Sequence, residues 1–267
     1  MIDTQPLQFP ARLTVSVISE KGCSHEQNED CYRLDIERGL FLLADGMGGH
    51  RAGEVASRMA IEIIYQVLSS RPSGDWQQTF GNALLAAHHA LRKAADENEQ
   101  YRGMGTTALI GWIRLPELHL WTAHIGNSRA YLWRKGTLQQ LTEDHTMLNE
   151  LRKANRLPAN RRDWPSPNIL SQALGSRQPF LAPEFGDWRL EIGDRLLLCS
   201  DGISDVLAAQ EIQQAIESSS EPQTICQHLA QAVRARGTPD DMTAILVGIE
   251  SSIASETAIQ TIQGMEV

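Results

Sequence analysis

The sequence predicts an α+β fold in which antiparallel β-sheets are covered by helices. Two observations lead to this prediction. Strand-like and helix-like patterns come in blocks, in the order strands, two helices, strands, two helices, strand. Helices that come in sequential pairs, and not singly between strands, favour antiparallel sheets over a doubly wound parallel sheet. The composition, with 42% hydrophobic and 21% charged residues, is that of an ordinary globular domain.

The first half of the chain contains two predicted strands and the first pair of helices. Apolar and polar side chains alternate over 13–17, which predicts a strand. Residues 39–44 form a short apolar run followed by an Asp-Gly pair, which predicts a strand that leads into a turn. Over 53–68 the apolar residues fall three and four positions apart, as on one face of a helix. A similar stripe over 76–91 predicts the second helix.

The second half repeats this order. Strands are predicted over 106–113, 118–125 and 130–133, joined as a meander. Residues 146–168 are polar and contain three prolines, which predicts a mobile flap with at most one short helix. The elements that follow are strands over 188–191 and 194–199, helices over 208–217 and 222–236, and a last strand over 243–249.

Charge and targeting patterns restrict the partners and the compartment. The net charge of −9 argues against nucleic acid as a partner, because phosphate backbones require a basic surface, and against polybasic membrane attachment. The N-terminal residues lack the pattern of a signal peptide, and no apolar run approaches the ~20 residues of a membrane span. The four cysteines form no CxxC pair, so we expect reduced thiols in a cytoplasmic protein. We expect one domain over residues 1–250 and a polar tail over 251–267.

Four acidic sites lie at the ends of predicted strands. Asp45 and Asp201 each follow an apolar strand and precede a glycine, and acidic pairs at 29–30 and 240–241 come just before strands. A single Asp-Gly pair usually marks only a turn. Hard dications, however, prefer carboxylate and carbonyl oxygens, and four acidic strand ends can converge on one ion. The pattern therefore predicts a carboxylate-held dication site, and by itself it does not identify the substrate.

Eight short motifs extend this pattern along the chain. They are 22–30 (GCSHEQNED), 43–57 (LADGMGGHRAGEVAS), 105–108 (GTTA), 125–131 (IGNSRAY), 141–145 (LTEDH), 170–175 (LSQALG), 198–207 (LCSDGISDVL) and 239–247 (PDDMTAILV). Together they resemble the PPM, or type 2C, family of metal-dependent Ser/Thr protein phosphatases. The DGMGGH segment is the most specific of them, and the compact chain resembles the bacterial stand-alone members.

The resemblance implies a four-layer α-β-β-α sandwich, two packed antiparallel β-sheets flanked by helix pairs, that forms a phosphatase catalytic domain over 1–250. It also implies two divalent cations, manganese or magnesium, which activate a water molecule for attack on phosphorus. The residues implied to hold these cations are Glu29, Asp45 as the bridge, Gly46 through its carbonyl, Asp201 and Asp240. Asp30 is expected to orient the attacking water. His50 is a candidate to protonate the leaving oxygen, because histidine titrates near neutrality, although it can equally serve only to pack its loop.

The sequence departs from the family pattern at three positions in these motifs. His25 stands where the family usually has an arginine that grips the substrate phosphate, and imidazole lacks the bidentate fork of arginine. Asn127 stands where an aspartate usually joins Asp205 in a third metal site, so we expect that site to be weak. Asp241 replaces a usual asparagine and is expected to have a supporting role.

The predicted function is therefore hydrolysis of phosphoserine and phosphothreonine on protein substrates, opposing a Ser/Thr kinase. One alternative is a pseudo-phosphatase of the same fold that acts as a regulatory binding protein, although Asp45, Asp201 and Asp240 are all present. Another is a nucleotide phosphodiesterase. Such metal hydrolases usually add histidine ligands at fixed spacing, and no HxxxH-type pair lies near these motifs.

Overall fold

The computed structural model describes residues 11–48, 52–70, 75–177 and 181–252. The strands are β1 Ala11–Glu20, β2 Asp30–Asp35, β3 Leu40–Met47, β4 Gly105–Thr106, β5 Ala108–Arg114, β6 His119–Ile125, β7 Arg129–Arg134, β8 Thr137–Gln140, β9 Glu184–Arg189, β10 Arg195–Cys199 and β11 Met242–Ser251. The α-helices are α1 Ala52–Ser69, α2 Trp76–Glu97, α3 Met147–Lys153, α4 Asp201–Ser204, α5 Ala209–Glu217 and α6 Pro222–Arg234.

The strands form two antiparallel sheets. The first sheet has the order β1-β11-β10-β7-β8, and the second has the order β2-β3-β5-β6-β9, with the short β4 paired to β3. Within the first sheet β1 and β11 pair along ten residues, from Ala11 opposite Ser251 to Glu20 opposite Met242. The chain therefore begins and ends its described fold side by side in one sheet.

Three apolar layers hold these elements together. The layer between the two sheets includes Phe41, Leu109 and Ile245, all at most 1% exposed. Helices α1 and α2 cover the outer face of the second sheet, where Phe80 packs among the aromatic side chains. Helices α5 and α6 cover the first sheet through residues such as Leu229. This arrangement confirms the predicted four-layer sandwich, because each helix pair buries its apolar stripe on one sheet face.

The predicted meander over 106–133 is wrong at its third strand. β5 and β6 pair as expected, but β7 leaves the second sheet and pairs with β10 in the first, with Tyr131 opposite Leu197. The change of sheet occurs at Gly126, whose φ of +102° is accessible to glycine at little cost. Alternating apolar residues predict a strand but do not identify the sheet that it joins, so the sequence could not distinguish the two topologies.

Other differences concern boundaries. β3 continues through Asp45 and Gly46 and ends at Met47, so the Asp-Gly pair lies in the strand and not in a turn after it. β9 begins at Glu184, four residues before its predicted start, because Gly186 and Asp187 interrupt its apolar pattern. The strand β8 and the one-turn helix α4 are too short to give a periodic signal.

The segment predicted as a flap contains α3 and a short 3-10 helix, Arg161–Asp163. Thr146 and Leu170 form an isolated antiparallel bridge that closes its two ends. Thr146 also caps α3, since its side chain accepts a hydrogen bond from the Asn149 N–H group. The position of the flap is thus defined by its base, and its mobility stays a prediction.

Candidate metal and phosphate site

The acidic residues singled out in the sequence meet at one end of the two sheets. Asp30 lies directly opposite Asp45 in the pairing of β2 with β3. Asp201 is the first residue of α4, and Asp240 lies two residues before β11. These strand and helix ends surround a cavity of about 520 Å³, which we call the main cavity. The predicted site residues that line it are His25, Glu29, Asp45, Gly46, Asp201 and Asp240.

The backbone around Asp45 is fixed by hydrogen bonds from its neighbours. The N–H group of Asp45 donates to Thr107 Oγ1 at 2.9 Å, and its carbonyl accepts from the N–H group of Thr107 at 2.8 Å. Gly46 donates to the carbonyl of Glu29 at 3.1 Å. A Cβ atom on Gly46 would overlap the carbonyl oxygen of Gly53, so only glycine permits this close approach. The strand end therefore presents a carboxylate and an adjacent carbonyl in a fixed arrangement.

Ser200 connects the strand ends that carry the other acidic groups. Its hydroxyl donates to Asp30 Oδ2 at 2.7 Å and accepts from the N–H group of Thr243 at 2.9 Å. Its own N–H group donates to the Thr243 carbonyl at 3.0 Å. The side chain of Ser200 is fully buried. It thereby fixes Asp201, the next residue, relative to β2 and β11.

The electrostatics of this cluster favour a bound cation. Burial, followed by repulsion from Asp201, Asp30 and Asp240, raises the pKa of Asp45 well above its ordinary value. Burial likewise raises the pKa of Asp30 to about 7, against a hydrogen bond from Ser200 that lowers it. Asp30 Oδ1 is buried and has no hydrogen-bond partner. Buried carboxylates are costly unless they are paired or bind a metal, so these residues fit a dication site.

His25 is held by Asp241, so two of the departures from the family pattern contact each other. His25 Nδ1 lies 2.8 Å from Asp241 Oδ2 and 3.6 Å from Asp240 Oδ1. Asp241 is buried and also accepts hydrogen bonds of 2.7 Å from the N–H groups of Gly22 and Glu29. Burial opposes a charge on His25, but the hydrogen bond and charge of Asp241, followed by the charges of Asp240 and Glu29, outweigh it and raise the pKa of His25.

Asn127 contacts one of the acidic residues of the main cavity directly. Its Nδ2 group donates to Asp201 Oδ2 at 2.9 Å. Asp205, the expected partner in a third metal site, lies with Asn127 on a neighbouring cavity and has an ion-pair distance of 3.9 Å to Arg129. Burial, followed by repulsion from Asp201, raises the pKa of Asp205 to about 6. The pair is thus one amide and one carboxylate, each already in contact with a protein group.

The structure brings most of the predicted site residues together, but not all of them line the main cavity. Asp30 is buried on β2 opposite Asp45, and Asp205 lines the neighbouring cavity. His50 lies outside the described residues. Ser200 was not singled out from the sequence, although a hydroxyl next to Asp201 at the end of an apolar strand was an available signal. Asn168, at the end of the flap, lines the main cavity and carried no signal of its own.

Comparison with known proteins identifies the family. The Protein phosphatase 2C family model matches residues 23–247. The chain belongs to this family. Among relatives of this type 2C chain is the protein phosphatase PhpP of Streptococcus pneumoniae, which is 32% identical over 91% of this chain and 100% of that protein.

Solved structures of related proteins agree with this family membership. The catalytic domain of the serine/threonine protein phosphatase PstP, solved in complex with two manganese ions, superposes with a TM-score of 0.78 at 30% identity, over 90% of this chain and 100% of that one. Stp1 of Staphylococcus aureus superposes with a TM-score of 0.79 at 27% identity, over 94% of this chain and 100% of that one.

The comparisons confirm the predicted family and the fold of this type 2C chain. They give no support to the pseudo-phosphatase alternative, since these relatives carry the names of phosphatases. The structure determined with two manganese ions agrees with the predicted pair of dications. Within the described ranges, no helix has the length and hydropathy needed to cross a membrane.

Proposed function

We propose that this protein hydrolyses phosphoserine and phosphothreonine on protein substrates and requires two divalent cations, manganese or magnesium. The observation that carries the proposal is the group of carboxylates gathered at the main cavity. Asp45 lies half-buried in this group, and desolvation and repulsion together raise its pKa. Among the described residues no lysine or arginine forms an ion pair with Asp45 or Asp201, so a bound cation is what would balance their charge.

The proposed ligands are Glu29, Asp45, the Gly46 carbonyl, Asp201 and Asp240. Bound dications at such a site lower the pKa of water and neutralise charge on a phosphoryl group. The protein contributes the fixed positions of these oxygens, which need no reorganisation when the substrate arrives. Asp30 is proposed to hold the attacking water in line, because its Oδ1 atom has no other partner.

His25 is proposed to bind the substrate phosphate. It lines the main cavity, and Asp241 holds its Nδ1 atom at 2.8 Å, which leaves Nε2 as the free ring nitrogen. A histidine that donates one ring N–H to a carboxylate is fixed in tautomer and orientation. This arrangement gives one directed hydrogen bond to phosphate where an arginine would give two.

His50 is proposed to protonate the leaving serine or threonine oxygen, on the basis of its place in the DGMGGH motif. His50→Gln should therefore slow release from phosphothreonine peptides more than release from an aryl phosphate, whose phenolate is a better leaving group. Equal losses on both substrates would assign His50 to packing of its loop.

The substrates are proposed to be products of a Ser/Thr kinase, and the protein is proposed to act in the cytoplasm. The catalytic domain is proposed to span 1–250, with the flap over 146–168 and a separate polar tail over 251–267. A third cation is proposed to bind weakly, because Asn127 offers a neutral ligand beside Asp205.

Phosphate release from matched phosphoserine, phosphothreonine and phosphotyrosine peptides tests this function. We expect release from the first two with manganese or magnesium and none after chelation. A preference for phosphotyrosine, or full activity in excess chelator after dialysis, would overturn the proposal.

A further inference from the structure

A second cavity adjoins the main cavity and has the opposite charge. It has a volume of about 190 Å³, and Met47 lines both cavities. The charged residues that line it are three arginines and one aspartate: Arg92, Arg102, Arg177 and Asp96. The main cavity is lined by five carboxylates and no lysine or arginine among the described residues. In a chain with a net charge of −9, this concentration of arginine next to the catalytic site is unusual.

The three arginines come from separate parts of the fold. Arg92 lies on α2, Arg102 follows the 3-10 helix Glu99–Tyr101, and Arg177 follows the LSQALG motif. Arg92 is half-buried, and Arg102 and Arg177 are exposed. All three arginines line this cavity, and Arg177 reaches it through the tertiary fold, since it lies 75 positions after Arg102 in the sequence.

None of these guanidinium groups has an intramolecular partner among the described residues. Arg33, Arg38 and Arg234, by contrast, form ion pairs on the surface. Asp96 lines the same cavity but forms no ion pair with any of the three. The cavity thus presents three unpaired cations, and guanidinium groups match carboxylate and phosphate oxygens with planar pairs of donors.

The connection to the catalytic site is short. Met47 directly follows Gly46, whose carbonyl belongs to the proposed metal site, and Met47 pairs with Gly105 across β3 and β4. Both Met47 and Gly105 line the arginine cavity. An extended peptide advances about 3.3–3.6 Å per residue, so a group only a few residues from the phosphorylated side chain would reach the arginines.

We propose that Arg92, Arg102 and Arg177 form an anion subsite for a carboxylate or second phosphate near the phosphorylated residue of the same substrate chain. The substrate class is then acidic or multiply phosphorylated segments of proteins. This inference rests on the proposed phosphatase function, which it refines by adding substrate selection.

The test compares phosphothreonine peptides that differ only in their flanks: neutral, glutamate before or after the phosphothreonine, and a second phosphoserine before or after it. We expect kcat/KM for at least one anionic flank to exceed the neutral flank by about tenfold, since three partly exposed ion pairs each contribute modestly. The glutamate and phosphoserine peptides distinguish the two sources of negative charge. The preference should fall with added salt.

In the Arg92→Gln/Arg102→Gln/Arg177→Gln variant, the ratio of kcat/KM for the anionic flank to kcat/KM for the neutral flank should fall close to one. The single variants Arg102→Gln and Arg177→Gln should lower this ratio partly. Arg189→Gln is the matched control, because Arg189 is an exposed arginine on β9 that does not line the cavity, and it should keep the ratio. A wild-type ratio near one for all flanks, or an unchanged ratio in the triple variant, would overturn the subsite.

Failure of the function and failure of the subsite are separable. Wild-type enzyme that releases no phosphate from any peptide or from an aryl phosphate would contradict the phosphatase proposal. The subsite has its own readout, the binding of a fluorescein-labelled, unphosphorylated glutamate-rich peptide measured by anisotropy. Weaker binding by the triple variant than by wild type supports the subsite, and equal binding contradicts it.

Discussion

The side-chain amide of Asn127 donates a hydrogen bond of 2.9 Å to Asp201 Oδ2. Asn127 is buried, with 5% of its surface exposed. The amide therefore contacts a proposed metal ligand at the position where the family usually places a carboxylate. It orients Asp201 without adding negative charge to the site.

Asn127→Asp should accordingly destabilise the metal-free protein but strengthen the binding of a third metal ion. Without metal, the substitution replaces the amide that donates to Asp201 by a carboxylate that repels it. This change should lower the free energy of unfolding by about 2 kcal/mol. With manganese, the added carboxylate beside Asp205 should create a third site of measurable affinity. Denaturant unfolding in chelator and calorimetric titration with manganese measure the two effects.

Asn127→Ala is the control, since it removes the donor without adding charge and should lose stability but gain no third site. A wild type that already binds three manganese ions with similar affinity would contradict this account.

A second prediction concerns the His25–Asp241 contact. His25→Ala should raise KM for phosphopeptides at least several-fold with a smaller change in kcat, because a phosphate contact is lost while the metal ligands remain. His25→Arg should lower KM, because a guanidinium offers two donors and a permanent charge. Steady-state kinetics at fixed manganese measures both. If His25→Ala left KM unchanged, another residue would have to hold the phosphate.

Acid should destabilise the protein through His145. Burial, followed by the charges of His124 and Lys153, lowers the pKa of His145 to about 4, and the opposing charges of Asp144 and Glu143 do not reverse this. The unfolded chain has an ordinary histidine pKa of about 6.5, so it takes up the proton first as the pH falls. The contribution of neutral His145 is therefore complete above pH ~6.5 and should decline by about 3 kcal/mol towards pH 4.

His145→Asn should flatten this pH dependence, because it removes the titrating imidazole. It also keeps an acceptor for the Gly126 N–H group, which in the wild type donates to His145 Nδ1. Denaturant unfolding between pH 4 and 7.5, in chelator, compares this variant with wild type. His228→Asn, at an exposed histidine, should follow the wild-type curve. A parallel decline in His145→Asn and wild type would assign the acid sensitivity to other groups.

The flap should select substrates without performing chemistry. Asn168, at its end, and Leu170, just beyond it, line the main cavity, whereas its α3 helix contributes no residue to that cavity. Exchange of residues 147–166 for those of another family member should alter kcat/KM among phosphopeptides by more than it alters turnover of a small aryl phosphate. Equal changes on peptides and aryl phosphate would show that the segment supports the catalytic site itself.

The sequence was sufficient to predict the acidic strand ends, because Asp45 and Asp201 follow short apolar runs that are typical of buried strands. It also predicted both helix pairs, whose periodic apolar faces now cover the two sheets. The contact between His25 and Asp241, two residues that differ from the family pattern, could not be predicted. His25 and Asp241 are 216 positions apart, and their pairing depends on the packing of the loop after β1 against the start of β11.

The hydrogen bond between Asn127 and Asp201 likewise could not be predicted from the sequence. It forms because β7 leaves the second sheet and joins β10, which brings the Gly126 turn beside the start of α4. A continued meander would have placed Asn127 elsewhere. The arginine subsite likewise depends on Arg177 lying beside Arg92 and Arg102 at one cavity, so no local pattern in the sequence indicates it.

The most direct measurement of the central claim combines metal binding and turnover in Asp45→Asn, with Asp187→Asn, at an exposed residue of β9, as the matched control. We predict two manganese ions per wild-type and control chain, and turnover of a phosphothreonine peptide that disappears on chelation. Asp45→Asn should lose at least one bound ion and at least about a hundredfold in kcat, because its carboxylate is the proposed bridge. Wild-type turnover in Asp45→Asn, or undiminished binding of both ions, would contradict a carboxylate-bridged metal centre as the origin of catalysis.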